Sequence, residues 1–287
     1  MENEVKKSNK GLYAIITILC IAVLGLGGFI VYDKFIKEDK EKSNISDNQT
    51  SKDNTDSKLV ETTLSNDDPK VKDLANKVIG VFTNSILFGD YFEYNNYFYK
   101  KDKVILKDES LKFKLSLAAA KMEIKSLEND DNIIYYIEEN DLKDTYYSLF
   151  GKDSNYERTD IMVDNCPNSL SWSNENNRYE KVVPKTGGCG GTSFGGVYVK
   201  LGYAKQKKNS NTDIIDLYEY FISLNPEKGV YSDYNNTNLI TTFTNYDNNK
   251  IIDEVVNEYE DKVGIYKYSF VKDSDGNYVF TSVEKVR

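Results

Sequence analysis

Cys166 and Cys189 are the residues of this chain best suited to covalent chemistry. Placed together in an oxidising compartment, they favour a disulfide. Closing a loop of about 24 residues would contribute roughly 3 kcal/mol in the chain-entropy account. The bond would staple the Cys166-Pro167 segment to the glycine-rich run Thr186–Gly196. Two alternatives stay open: a pair of buried thiols, or Cys189 as a nucleophile on an exposed loop. The chain contains no histidine. A reactive thiolate would therefore need a lysine or a backbone dipole to form. The same absence removes Ser-His-Asp systems, the paired-histidine zinc helix and every imidazole-ligated metal. Two cysteines alone leave a zinc tetrahedron half empty, so neither a metal nor a cofactor is expected.

Other chemistry-bearing patterns have plainer readings. The glycine run Thr186–Gly196 could cradle phosphate, but no Gly-Lys-Ser/Thr ending follows it. A strand rather than a helix follows, so a tight turn with positive φ is expected. Asp273-Ser-Asp-Gly-Asn277 places its glycine fourth, where a calcium hand needs it sixth, and is read as a turn. Tyr91, Phe92, Tyr94, Tyr97, Phe98 and Tyr99 form a dense aromatic run. Tyr91, Tyr94, Tyr97 and Tyr99 are the candidate ligand-face aromatics, able to stack on a sugar or line a peptide groove; core packing is the competing reading. Paired carboxylates (Asp130-Asp131, Glu138-Glu139, Asp253-Glu254, Glu258 and Glu260) would serve a glycosidase only at a defined separation across a cleft. No Ser-x-x-Lys stands at a convincing helix start, and no catalytic residue is assigned.

The elements that must position these residues begin with an anchor. Leu12–Tyr32 is 21 residues without a charge. At 1.5 Å per residue it measures about 31 Å, matching a bilayer core. Cys20 within it is an apolar filler rather than a lipidation site, because Leu19 precedes it. Lysines lie on both sides of the span (Lys6, Lys7 and Lys10 before; Lys34, Lys37, Lys40 and Lys42 after) and do not decide orientation. The short preceding tail favours an inside N-terminus with the large domain outside. The organisation expected is a cytoplasmic tail at 1–11, a transmembrane helix at 12–32, a disordered linker at 33–67 and an extracytoplasmic domain at 68–287. Lys37–Asp67 has few apolar residues and no aromatic one, so it cannot offset the entropy of ordering.

Asp68-Pro69 reads as a cap and first position of a helix carrying Val71, Leu74, Ala75, Val78, Ile79, Phe82 and Ile86. Further helices are expected over Ser110–Leu127, with two apolar stripes, over Asp141–Phe150, and as a small element near Ile251–Tyr259. Strands follow: Gly196–Ala204 with Ile214–Leu224, then Leu239–Phe243, then the hairpin Val263–Val271 with Asn277–Val286. The fold class is α+β, with helices packed on a mostly antiparallel, cone-like sheet.

The net charge of −9 argues against nucleic acid, which rewards a basic footprint. Only Arg158, Arg178 and Arg287 are arginine, a bias that tempers any reading of a lysine or tyrosine cluster. The anchor Gly11–Lys34, Leu149–Asp153, Cys189–Thr192 and the closing Tyr266–Val286 resemble the single-span extracytoplasmic proteins of low-GC Gram-positive bacteria. The closing hairpin is loosely similar to those of nuclear-transport-factor-2-like domains. The resemblance implies no activity. The function expected is a non-enzymatic module, tethered to the cell membrane, that binds an envelope protein or glycan. The alternatives are an envelope glycan hydrolase using paired carboxylates and a structural accessory subunit.

Overall fold

The computed structural model describes residues 58–81, 96–163, 169–186, 196–225, 229–242 and 250–287. The expected span at 12–32, both cysteines of the expected disulfide, most of the glycine-rich run, and Tyr91 and Tyr94 lie outside the described residues. Contacts divide the chain into Met1–Thr55 and Asp56–Arg287, and the description concerns the second unit. Among the described residues no helix is long and apolar enough to cross a membrane.

The domain is α+β and its sheets are antiparallel. The larger, eight-stranded sheet contains β1 (Val60–Leu64), β2 (Lys103–Ile105), β8 (Gly196–Lys208), β9 (Asp213–Asn225), β10 (Gly229–Tyr231), β11 (Leu239–Thr241), β12 (Gly264–Lys272) and β13 (Tyr278–Lys285). Its main order is β1-β8-β9-β12-β13-β2, with β10 joining the end of β9 and β11 joining β10. The second, five-stranded sheet contains β3 (Lys125–Glu128), β4 (Asn132–Glu138), β5 (Ile161–Met162), β6 (Ser169–Ser173) and β7 (Arg178–Pro184). Its order is β3-β4-β7-β6-β5.

Among the described residues four α-helices accompany the sheets: α1 (Pro69–Val78), α2 (Leu111–Ala119), α3 (Glu139–Phe150) and α4 (Ile251–Tyr259). Asp68 caps α1 by accepting from the Lys70 N–H at 2.8 Å, and Pro69 occupies the first turn. Ser110 caps α2 through the Phe113 N–H. Gly151, at φ +81°, ends α3.

Strand β9 organises the core because it is buried on both faces. Ile215, Leu217 and Phe221 enter a large cluster with α1, α2, α3 and residues such as Ile137, Leu170 and Tyr179 from the smaller sheet. Ile222 and Leu224, with the rings of Tyr218 and Tyr220, meet Ile251, Val255 and Val256 of α4 on the other face. That two-sided burial is why the segment reads as an almost continuous apolar run.

Four expectations need correction. First, folded structure begins no later than Val60, inside the segment expected to be linker. Strand β1 pairs with β8 from Val60↔Lys208 to Leu64↔Ala204. Val60 remains 60% exposed, so β1 is held by the ladder and by the Glu61–Lys205 ion pair at 2.8 Å rather than by burial. Second, the helix expected over Ser110–Leu127 stops at Ala119, because Lys125–Glu128 pairs with β4 instead. Third, strands do not all follow the Asp141–Phe150 helix: β3 and β4 precede α3 and help build the smaller sheet. Fourth, the helix expected to carry Val71 through Ile86 stops early, at Val78, where Ile79 turns to extended backbone. Helix α3 starts two residues early, and the β8–β9 strands run further into their turn.

Candidate functional site

A cleft of about 520 Å³ opens between α1, α3 and the β12–β13 turn. Helix α1 contributes Lys70, Asp73, Leu74 and Lys77 to its lining; α3 and the residues after it contribute Asp144, Tyr147, Ser148 and Lys152. The hairpin closes the third side with Lys272, Gly276, Asn277 and Tyr278. The periodicity of α1 makes this placement: Val71, Ala75 and Val78 are buried, which turns Lys70, Asp73 and Lys77 outward. The turn fixes the third wall through its own chemistry. Asp273 Oδ1 accepts from the Asn277 N–H at 2.7 Å, and Gly276 sits at φ +89°.

Tyr278 forms the cleft's aromatic platform. The Lys70 and Lys272 ammoniums lie 5.3 and 5.9 Å from its ring centroid. Its hydroxyl donates to Asp213 Oδ1 at 2.9 Å, fixing the ring orientation. Burial, then that carboxylate, pushes its pKa up to about 12, so it stays a neutral donor. Lys77 pairs with Asp73 at 3.0 Å. Among the described residues, Lys152, Lys272 and Asp144 enter no ion pair. The cleft thus presents four lysines against two aspartates on a chain whose net charge is −9.

A second polar cluster lies inside the core. Glu219 is 0% exposed on β9. Its Oε1 accepts from the Tyr99 and Tyr268 hydroxyls at 2.7 and 3.0 Å, and its Oε2 accepts from the Gly80 N–H at 3.1 Å. Burial pushes its pKa up to about 7 against these donors. Burial and the neighbouring carboxyl also hold both tyrosines well above their usual range. With the carboxyl fully enclosed, the described structure offers a substrate no way in, and the cluster reads as a structural knot tying the end of α1 to the sheet.

Of the expected ligand-face aromatics, the described Tyr97 and Tyr99 do not line the cleft. Tyr99 is the buried donor to Glu219. Tyr97 donates to Glu109 Oε2 at 2.7 Å and packs its ring, tilted by 41°, with its centroid 4.5 Å from that of Phe113. Both belong to the core cluster because the 3-10 turn Tyr97–Lys100 folds onto α2 and the larger sheet. Tyr91, Tyr94, Cys166 and Cys189 lie outside the described residues. The acidic pairs are scattered: Glu139 is tied to Arg158 and Lys143, Asp253 to Lys200, and Glu260 to the Tyr220 hydroxyl. Among the described residues no group of three His, Cys, Asp or Glu side chains could hold a metal ion.

Sequence reasoning missed the cleft and Glu219. The cleft's walls come from three separate chain segments, which no local pattern unites. Glu219 did leave a signal: it shares the phase of Ile215, Leu217 and Phe221, so an acid stands at a core-facing position. No protein-family model, curated protein or solved structure matches this chain.

Proposed function

We propose that this chain is a membrane-tethered, extracytoplasmic, non-enzymatic module that holds a ligand of the cell envelope in the α1–α3–hairpin cleft. The observation that carries the reading is the local reversal of charge: four lysines and two tyrosines line a cavity in an acidic protein. A cavity of this size falls in the range of small-ligand sites. The uncharged run Leu12–Tyr32 supports the tether, and the resemblance to single-span envelope proteins supports the compartment.

The test is sedimentation of the full chain, in detergent, with purified cell-wall material. Ser148→Trp fills the cleft from an exposed helix position and should abolish co-sedimentation while leaving thermal unfolding unchanged. Retained co-sedimentation overturns the reading. So does release of soluble wall fragments that stops on Asp73→Asn or Asp144→Asn, which would favour a hydrolase working through the two carboxylates of this cleft.

A further inference from the structure

The end of α1 is tied to the larger sheet through one buried carboxyl. Gly80, at φ +72° just past the helix, gives its N–H to Glu219 Oε2 at 3.1 Å. Oε1 takes the Tyr99 and Tyr268 hydroxyls at 2.7 and 3.0 Å. We infer that this cluster is a proton-operated latch on the end of α1, shut while the Glu219 carboxyl carries its proton and released when it ionises. Helix α1 supplies Lys70, Asp73, Leu74 and Lys77 to the cleft, so the latch sets how firmly that wall stands.

Donor and acceptor counting decides what each state can do. A protonated carboxyl has one O–H to place. On Oε2 it would face the Gly80 N–H, donor against donor. On Oε1 it meets a tyrosine hydroxyl, which can turn to accept and pass its own hydrogen on, because the Tyr99 and Tyr268 oxygens stand 3.4 Å apart. The neutral form therefore keeps the Gly80 tie. The ionised form keeps three donors but has no cation at contact distance among the described residues. Lys121, past the end of α2, gives its ammonium to the Ile79 carbonyl at 3.3 Å and acts on Glu219 only at longer range. Tyr266, directly opposite Glu219 on β12, aims its hydroxyl at the Tyr99 carbonyl, and Leu201 opposite on β8 carries no charge. Burial outweighs the donors and pushes the carboxyl pKa up to about 7.

Release runs through Gly80 because the other two ties are packed. Tyr268 is 0% exposed, and the Tyr99 ring centroid lies 4.6 Å from that of Phe221 and 4.9 Å from that of Tyr266. Residues 79–81 have already left the helix, since Ile79 is extended. Their displacement admits water to Oε2 and frees Lys121 from the Ile79 carbonyl to approach the anion.

The experiment is amide hydrogen exchange of the full chain in detergent from pH 6 to 9, each rate divided by the intrinsic rate at that pH. Protection over residues 74–81 should fall about tenfold between pH 6 and 8 and level off above, as a carboxyl at 4.5 when open and about 7 when shut requires. It should also stay at least tenfold below the protection of β12 at every pH, the mark of a local opening. In Glu219→Gln, whose amide stands in for the protonated carboxyl, the profile over 74–81 should be flat. Tyr99→Phe removes one donor from the anion and should move the fall to higher pH, which keeps the test open if the Gln variant does not fold. A flat native profile overturns the latch. So does equal protection of 74–81 and β12 at every pH, which would mean that the proton acts on global unfolding alone. A fall that persists in Glu219→Gln, or one that Tyr99→Phe leaves in place, assigns the titration to another group and overturns it as well.

Discussion

Burying the Glu219 carboxyl among hydroxyl and amide donors, with no cation at contact distance, makes its charge costly to hold. Tyr99, Tyr268 and Gly80 donate to it, while Lys121, whose ammonium reaches the Ile79 carbonyl, acts only at longer range. Burial wins, and its pKa rises from 4.5 to about 7. The unfolded chain loses this proton first, so the folded state binds it more tightly. The stabilisation is complete below pH 4.5 and is lost as pH climbs through 7, by about 3 kcal/mol in all. Glu139 has the opposite sign. Arg158, with Lys143, holds its pKa down at about 2, so its contribution is present above pH 4.5 and fades as pH falls through 2. Urea midpoints measured from pH 5 to 9 should therefore fall for the native chain and stay level for Glu219→Gln. A level native profile would refute the argument. Sterics dominate at Gly264, where an added Cβ would stand 2.3 Å from the Ser232 carbonyl oxygen. Backbone cannot yield as a side chain can, so Gly264→Ala should cost about 2 kcal/mol in chemical denaturation. Gly202→Ala meets the Tyr220 ring at 2.8 Å, a side chain rather than backbone, and should cost less.

At the level of elements, local chemistry sets boundaries and non-local pairing sets the rest. Ser110→Ala removes the α2 cap and should cost about 1 kcal/mol. Ser116→Ala, in the same helix, should cost more. The buried Ser116 hydroxyl accepts from the Met162 N–H at 2.8 Å and so ties α2 to β5. Losing it strands a backbone donor, at roughly 1–3 kcal/mol. A thermal-shift comparison of the two variants checks the order, and equal shifts would deny Ser116 its bridging role. The same division explains what could be read in advance. The Asp68-Pro69 start of α1, the Gly151 stop of α3 and the β12–β13 turn are local signals, and the structure uses each of them. Strand β1 carries no burial signal and exists because β8 offers it an edge. Strand β3 is exposed at every residue and depends on β4, so its sequence continues the helical pattern of α2 until the ladder overrides it. The cleft was illegible for a related reason. Residues 70–77, 144–152 and 272–278 meet only once the larger sheet and its helices have assembled.

For the molecule as a whole, the proposed tether makes a claim that no feature of the folded domain carries. The domain is acidic with a lysine-lined cleft, a charge layout compatible with either side of a membrane. The side on which the domain lies can be read through the cysteines. Cys166 and Cys189 are the two thiols outside the uncharged run, and an extracytoplasmic compartment oxidises where the cytoplasm reduces. Intact cells treated with a membrane-impermeant maleimide should therefore leave both unlabelled until reductant and mild denaturant are added. Labelling without reductant would place the domain outside with free thiols, which removes the staple and reopens Cys189 as a reactive group. Labelling only after lysis would put the domain in the cytoplasm. An envelope ligand could then never reach the lysine cleft, and the function proposed for it would fall with the topology.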